Sequence, residues 1–391
     1  MLMFTSLIAT RLFLANLLAV ESGDLGSVGT YYVLLFAAIA IIFLLGGKRC
    51  REKSFLPFFR LGITLHIFFW GGVTILFQSD LLVPALPLVA VVHGIAQGFF
   101  WLPFVQYGID FSTPMRRAKF YAGLYMASQI ISVIVPVTLG TMVASKLGYE
   151  GVFITLMCLF IAGSAASFIF LTPAEGNRPR YHFMDLIRAA IKFRDLRRVY
   201  FAIWMMGLTV WGAMELLTPL LVYRITGSAV KLGLVASALP FIEMTTCYLV
   251  GKVNHTAHRS IALVSGTILL LTSLLLASAW SLWAVIVFAA SFSLTVPALG
   301  IIANTFGANV VSHHRLIEAR QTEFIVVREL VLTFGRFIGY SLFAYLGGTD
   351  SLRALILFLG VCVFFLALTL RSLKFEQDLS EQDVNVPQPH L

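Results

Sequence analysis

The sequence predicts an all-α membrane protein with 12 transmembrane helices, arranged as two six-helix pseudo-repeat bundles. The chain of 391 residues is 59% hydrophobic and only 12% charged, whereas about 25% of the residues of soluble domains are charged. Apolar runs long enough to cross a bilayer recur along the whole chain. Because lipid offers no hydrogen bonds to the backbone, such runs are read as membrane-spanning helices.

The first predicted helix covers residues 1–19. No basic segment precedes it and Arg11 lies in its middle, which argues against a cleaved signal peptide. Eleven further spans are predicted at 28–46, 59–78, 82–105, 119–143, 151–171, 199–222, 230–250, 260–279, 281–304, 321–346 and 352–370. We expect the fourth span to extend to about Gly108 and the tenth toward Asn309.

The longest connection divides the chain into parts. We predict an N-terminal bundle at 1–171, a linker at 172–198, a C-terminal bundle at 199–371 and a disordered polar tail at 372–391. Within the linker, apolar residues recur at helical spacing with basic residues on the other side. This pattern predicts an amphipathic helix on the inner membrane surface.

The two halves resemble each other. Leu17–Lys48 and Leu220–Lys252 each begin with two leucines, pass a turn that contains Gly and Ser, cross the membrane and end in Gly-Lys. Repeated halves of this kind build many secondary transporters, with the substrate site between them.

Basic residues give the orientation. Of the 28 Lys and Arg residues, 21 lie in alternate connections, which by the positive-inside rule face the cytoplasm together with both termini. The net charge of +9 therefore marks cytoplasmic loops and not a nucleic-acid partner.

Six charged residues lie well inside predicted spans, away from their ends: Arg11, Glu215, Glu243, Arg328, Glu329 and Arg336. Charges at this depth are costly and normally face a bundle interior or a watery cavity. Glu329 and Arg336 are seven residues apart and share one helix face, whereas Arg328 projects to one side. These charges either line a substrate cavity or form a salt-bridge clamp between helices. We expect Arg328 to bind substrate and Arg336 to act as the clamp.

Other polar residues of the spans have two interpretations each. Glu243, near mid-depth, could carry a proton because loss of water favours its protonated form, or it could pair with Arg11 or Arg328. Glu215 could take part in proton coupling, or it could form a hydrogen bond within the helix bundle. His93 and Gln97, on one helix face, could contact substrate or pack helices together. Asn304 is a further cavity candidate, and Gly335 and Gly339 predict close approach of a neighbouring helix.

Motifs for other chemistry are absent from the sequence. The four cysteines are scattered, the histidines form no metal-ligand pattern, and there is no nucleophile elbow or phosphate-binding loop. We therefore expect no metal, no cofactor and no enzymatic activity. Energy would come from an ion gradient, with H+ the expected ion.

Six plus six spans, a central cytoplasmic linker and both termini inside resemble the major facilitator superfamily. The loop after the second span, Gly46-Gly47-Lys48-Arg49, and its counterpart Gly251-Lys252-Val253-Asn254 resemble the family's basic loops but lack its acidic residue. The resemblance implies that spans 1, 2, 4, 5, 7, 8, 10 and 11 surround a central cavity. All six charged span residues lie in that set.

These observations predict a multi-pass secondary transporter of a bacterial inner or plasma membrane. It would act as a monomer, with membrane lipid and a small organic molecule as its partners. Arg11, Arg328 and Arg336 would hold an anionic or zwitterionic solute, and Glu243, Glu329 or Glu215 would carry the proton. Two alternatives are an embedded lipid-modifying enzyme and a transporter-like scaffold or sensor that no longer transports.

Overall fold

A computed structural model describes residues 2–52, 55–110, 114–170, 181–253, 255–313, 321–346 and 349–373. These residues form helices joined by short connections. We number the helices in chain order: α1 Leu2–Ser22, α2 Leu25–Glu52, α3 Leu56–Gln78, α4 Leu86–Asp110, α5 Pro114–Ala144, α6 Gly148–Phe170, α7 Phe183–Lys192, α8 Arg194–Thr226, α9 Ala229–Lys252, α10 His255–Ser278, α11 Leu282–His313, α12 Gln321–Tyr345 and α13 Thr349–Arg371.

Twelve of these helices correspond to the predicted spans, and α7 is the predicted linker helix. Eleven described helices are long and apolar enough to cross a membrane. The twelfth is α12, which matches them in length but carries four charged residues. The predicted fold class is therefore confirmed. The extensions predicted for the fourth and tenth spans are also observed, since α4 reaches Asp110 and α11 reaches His313.

The first helix of each half ends in the same way. Gly23 after α1 and Gly227 after α8 take left-handed backbone angles, with φ of 67° and 58°, which glycine adopts without a steric penalty. Each turn leads directly into the next helix. We call the end of the bundle marked by Gly23 and Gly227 the far end, and the opposite end, where α1 begins at Leu2, the near end.

Both α1 and α8 are interrupted in mid-span. A π-helical segment occupies Thr10–Leu14 in α1 and Thr209–Ala213 in α8. Within the second segment, Trp211 (φ −103°, ψ 20°) and Gly212 (φ −129°, ψ −130°) leave helical geometry. Short π segments of this kind occur often at functional sites, and these two lie beside the polar residues described below.

Among the described residues, the two halves pack backbone against backbone at the far end, along α5–α9 and α2–α12. A Cβ atom placed on Gly233 of α9 would lie 2.5 Å from the carbonyl oxygen of Pro136 in α5. One placed on Gly29 of α2 would lie 2.5 Å from the backbone nitrogen of Ala344 in α12. Side chains at these glycines would push the helices apart, so the far end is closed in this structure.

Small residues also join helices within the second half. A Cβ atom on Gly339 of α12 would lie 2.5 Å from the carbonyl oxygen of Leu208 in α8. Gly335, one turn earlier, faces the carbonyl of Trp204 in the same way. The close approach predicted for this glycine pair is thus observed, and it brings the charged residues of α12 against the interruption in α8.

The linker helix α7 is amphipathic, as predicted. Leu186 is buried against the bundle, whereas Met184 and Ile191 are exposed. Ahead of the helix, the backbone N–H of His182 donates a hydrogen bond of 3.1 Å to Oε1 of Glu323 at the start of α12. The bond ties the linker to the near end of the second half. Its placement on the inner membrane surface stays a prediction.

Candidate functional site

An ion pair joins the two halves in the middle of the bundle. Arg11 Nη1 in the π segment of α1 contacts Glu215 Oε1 in α8 directly. The two side chains keep 34% and 23% of their surface exposed. The sequence marked both residues as candidates but did not pair them. The structure brings them together because the π segment of α1 packs against the part of α8 that follows its interruption.

Side chains of α12 satisfy the interruption of α8. Arg336 Nε donates a hydrogen bond of 2.9 Å to the carbonyl oxygen of Trp211, and the Tyr340 hydroxyl donates one of 3.1 Å to that of Gly212. Carbonyl groups released by a broken helix need such partners at membrane depth, where water is scarce. Arg336 and Tyr340 therefore hold the bend in α8 in place.

An aromatic cluster from both halves lies beside Arg336. The rings of Tyr32 and Phe36 in α2 stack on Tyr340 with centroid distances of 4.8 and 5.4 Å. The Arg336 guanidinium lies 4.7 Å from the centre of the Phe36 ring, a cation–π distance. The Tyr32 hydroxyl is buried and has no hydrogen-bond partner among the described residues. We call Tyr32, Phe36 and Tyr340 the aromatic cluster.

Arg328 forms a separate polar group, closer to the near end than Arg336 is. Its Nη1 atom lies 3.1 Å from Glu329 Oε1, and its Nη2 atom donates a hydrogen bond of 2.9 Å to Asn304 Oδ1 of α11. The spacing in sequence allowed Glu329 to pair with Arg336. In the structure it pairs instead with its neighbour Arg328, since Arg336 is turned toward α8.

Glu243 lies at a contact between the halves. Its Oε2 atom accepts a hydrogen bond of 3.1 Å from Gln129 Nε2 of α5, and its Oε1 atom accepts one of 3.2 Å from the Ser293 hydroxyl of α11. The alternative pairing with Arg11 or Arg328 is not observed. Ser293 was missed by sequence reasoning, because nothing distinguishes it from the other serines of apolar helices.

His93 and Gln97 lie apart from this site, inside the first half. The His93 ring contacts the Tyr31 hydroxyl at 2.5 Å and Gln97 Nε2 at 3.0 Å, and it stacks on Phe69 at 4.0 Å. Both residues are buried. The structure thus places them in helix packing, and substrate contact by this pair stays a prediction.

Metal ligands do not cluster in the described part of the chain. No group of three His, Cys, Asp or Glu side chains there is arranged to hold a metal ion. The site at the interface is instead built from arginine–carboxylate pairs, aromatic rings and one carboxylate held by neutral donors.

Comparison with known proteins identifies the class of fold. No family model matches the chain. A curated protein of Bacillus subtilis (strain 168), the uncharacterized protein YqgE, is 23% identical over 330 residues, which cover 83% of this chain and 75% of that protein.

Three solved structures match nearly the whole chain. A D-xylose–proton symporter has a TM-score of 0.69 and 12% identity, over 96% of this chain and 95% of that one. A bacterial homologue of the iron transporter ferroportin, in an inward-facing state, has a TM-score of 0.65 and 16% identity, over 95% of this chain and 96% of that one. The human organic anion transporter MFSD10 has a TM-score of 0.60 and 13% identity, over 93% of this chain and 90% of that one. The resemblance to the major facilitator superfamily is thereby confirmed at the level of fold. This is a multi-pass membrane protein whose fold is that of these three transporters.

Proposed function

We propose that this protein is a secondary transporter that moves a small organic solute across the membrane by alternating access. The observation that carries the proposal is the Arg11–Glu215 pair, a partly exposed ion pair shared by the two halves at mid-depth. Ionisable residues at this depth are expensive and mark transport pathways. A site built from both halves changes its geometry whenever the halves move.

The contacts at the far end support a rocking movement. Close packing at Gly29 and Gly233 holds the far end shut in the present state. Opening that end would separate α5 from α9 and α2 from α12, and the solute would then reach the central site from the other side of the membrane. The predicted orientation, with both termini in the cytoplasm, makes the far end the outer face.

Glu243 is the proposed proton carrier. Its two hydrogen-bond partners, Gln129 and Ser293, are neutral. The carboxyl group is therefore not held in its charged form by an adjacent cation. One partner belongs to the other half, so separation of α5 from α9 would change the environment of the carboxyl group and with it the tendency to hold a proton.

The structural neighbours do not indicate which solute this protein would carry. Their names specify an organic anion, iron and D-xylose with a proton, so the same fold carries chemically different cargo. The solute has to be argued from the residues of this chain's own site.

The two alternatives, an embedded lipid-modifying enzyme and a scaffold or sensor, require different arrangements of the charged residues. A lipid-modifying enzyme would need its reactive groups at one membrane face, whereas Arg11, Glu215 and Glu243 lie in mid-span. A scaffold or sensor would keep the ion pair as a structural link and would move no solute.

The test is uptake by proteoliposomes from a metabolite library, with and without an imposed pH gradient. We expect at least one solute to accumulate and the accumulation to depend on the pH gradient. Equal uptake with and without the gradient would contradict proton coupling. Absence of uptake across a broad library, with folded protein in the liposomes, would favour the scaffold or sensor.

A further inference from the structure

We propose that the solute is an organic monoanion with a flat aromatic body, and that Arg336 receives its negative charge. The inference rests on the proposed function and names the class of substrate. It assigns to Arg336 alone a charge that the sequence analysis shared among Arg11, Arg328 and Arg336, and it leaves Arg328 without the binding role expected for it.

Arg336 has unused donors. Its Nε atom bonds to the carbonyl of Trp211, and the face of its guanidinium lies on Phe36. The two terminal nitrogens make no hydrogen bond and no ion pair to a described residue, and they are not sealed from solvent. Two parallel N–H groups of a guanidinium match the two oxygens of a carboxylate. Arg336 is thus anchored at one nitrogen and open at the others.

The other two arginines of the interface are already neutralised. Arg11 pairs with Glu215, and Arg328 pairs with Glu329 and also bonds to Asn304. An anion bound to either would have to displace a carboxylate and leave it unpaired at membrane depth, at a substantial cost. Arg336 imposes no such exchange.

Charged neighbours limit the anion to a single charge. Arg11, Glu215 and Glu329 are charged groups close enough to act on Arg336. Because Glu215 and Glu329 are matched by Arg11 and Arg328, one positive charge remains for the ligand at this point. A second carboxylate on the ligand would meet Glu215 or Glu329 without a cation to balance it.

The surroundings of Arg336 select a flat body. The guanidinium lies over the ring of Phe36, which stacks in turn with Tyr32 and Tyr340. Trp211, half-buried, lies at the hydrogen-bonded carbonyl. Aromatic rings and guanidinium planes favour stacked planar partners. The buried hydroxyl of Tyr32 lacks a hydrogen-bond partner among the described residues. It supplies a second donor for the anion.

The test measures binding by the purified full-length protein in detergent, through the concentration dependence of thermal stabilisation. The probes are 1-naphthoate, its neutral amide 1-naphthamide, the saturated decahydronaphthalene-1-carboxylate and the dianion naphthalene-1,8-dicarboxylate. We expect naphthoate to bind at least about ten times more tightly than each of the three other probes, because a charge-assisted bidentate contact and ring stacking act together.

Two variants assign the site. Arg336→Gln is expected to abolish the preference for naphthoate over naphthamide, whereas Arg353→Gln is the matched control. Arg353 also lies over an aromatic ring, 5.6 Å from the centre of Trp280, but is exposed and away from the interface.

If the Arg336→Gln variant fails to fold, naphthoate binding by the Tyr32→Phe variant tests the location of the site instead. It removes a hydroxyl that has no described partner, and we expect it to weaken naphthoate binding by about fivefold while naphthamide binding is unchanged. Its control is Tyr200→Phe, since the Tyr200 hydroxyl is likewise buried without a hydrogen-bond partner among the described residues.

Equal binding of naphthoate and naphthamide by the wild-type protein would overturn the assignment of a monoanion. Equal binding of the aromatic and saturated carboxylates would overturn the aromatic class. A preference for naphthoate that survives both Arg336→Gln and Tyr32→Phe would overturn the site. Uptake of other solutes from the library together with any of these results would leave the transporter proposal standing. Naphthoate binding by a protein that transports nothing would support the site and contradict transport.

Discussion

The ion pair between Arg11 and Glu215 makes a quantitative prediction about the cohesion of the two halves. Arg11→Gln and Glu215→Gln each leave one charge without its partner, whereas the double substitution removes both charges. We expect each single variant to lower the free energy of unfolding and the double variant to lose much less than the sum of the two.

The exposure of the pair sets the magnitude. Breaking a fully buried pair costs about 3–5 kcal/mol, and a fully exposed pair contributes about 0–1 kcal/mol. With 34% and 23% of the side chains exposed, each single substitution should cost about 1–3 kcal/mol and the coupling energy should be about 1–2 kcal/mol. The assay is a double-mutant cycle of unfolding by sodium dodecyl sulfate in mixed micelles.

A second ion pair provides the control. Arg188 and Asp185 of α7 lie 3.7 Å apart with 81% and 42% of their side chains exposed, so the same cycle there should give a coupling energy near zero. A coupling energy at Arg11–Glu215 no larger than that of the control would refute the reasoning that this pair holds the halves together.

Three further predictions concern movement, coupling and orientation. Gly233→Val places a branched side chain against the backbone of Pro136, so it should shift the population toward molecules that are open at the far end. Cysteine labelling at the far end should increase, and unchanged labelling would contradict the close contact. Glu243→Gln should abolish accumulation driven by the pH gradient but leave solute exchange, and full pH-driven uptake in that variant would remove Glu243 from the mechanism. Cysteines introduced at Ser22 and Asp80 should react with an impermeant reagent from outside the cell, and labelling from the cytoplasmic face alone would reverse the topology.

Most of the fold could be predicted from the sequence, because hydropathy and loop charge are strong signals in membrane proteins. Even α12, whose charges set it apart from the other spans, could be recognised by its length and its place in the alternation of loops. The helix ends were less accurate. The first span continues to Ser22, three residues beyond its predicted end at residue 19, because Gly23 and not a polar residue ends the helix.

The site was predicted as a set of residues but not as a set of contacts. Arg11, Glu215, Arg328, Glu329 and Arg336 all belong to the observed polar groups. Their partners depend on the depth and rotation of each helix relative to its neighbours, which are fixed by tertiary packing. A shift of one residue along α12 rotates a side chain by about 100°, enough to exchange Arg328 for Arg336 as the partner of Glu329.

The interruptions of α1 and α8 could not have been predicted. Thr10–Leu14 contains neither glycine nor proline, so nothing in its composition signals a π segment. In α8 the bend at Trp211 and Gly212 is stabilised by hydrogen bonds from Arg336 and Tyr340, which lie more than a hundred residues later in the chain. A local sequence signal cannot report partners that only the folded bundle supplies.

The central claim, that the two halves rock about a shared site, is tested most directly by distances between spin labels in a lipid bilayer. Labels at Ser145 and Ser228 report the far end, and labels at Lys48 and Lys252 report the near end, in a variant whose four native cysteines are replaced. We predict two populations, one with a short far-end distance and a long near-end distance, and the other with the reverse. A single fixed distance at each end, unchanged by pH and by Gly233→Val, would contradict alternating access.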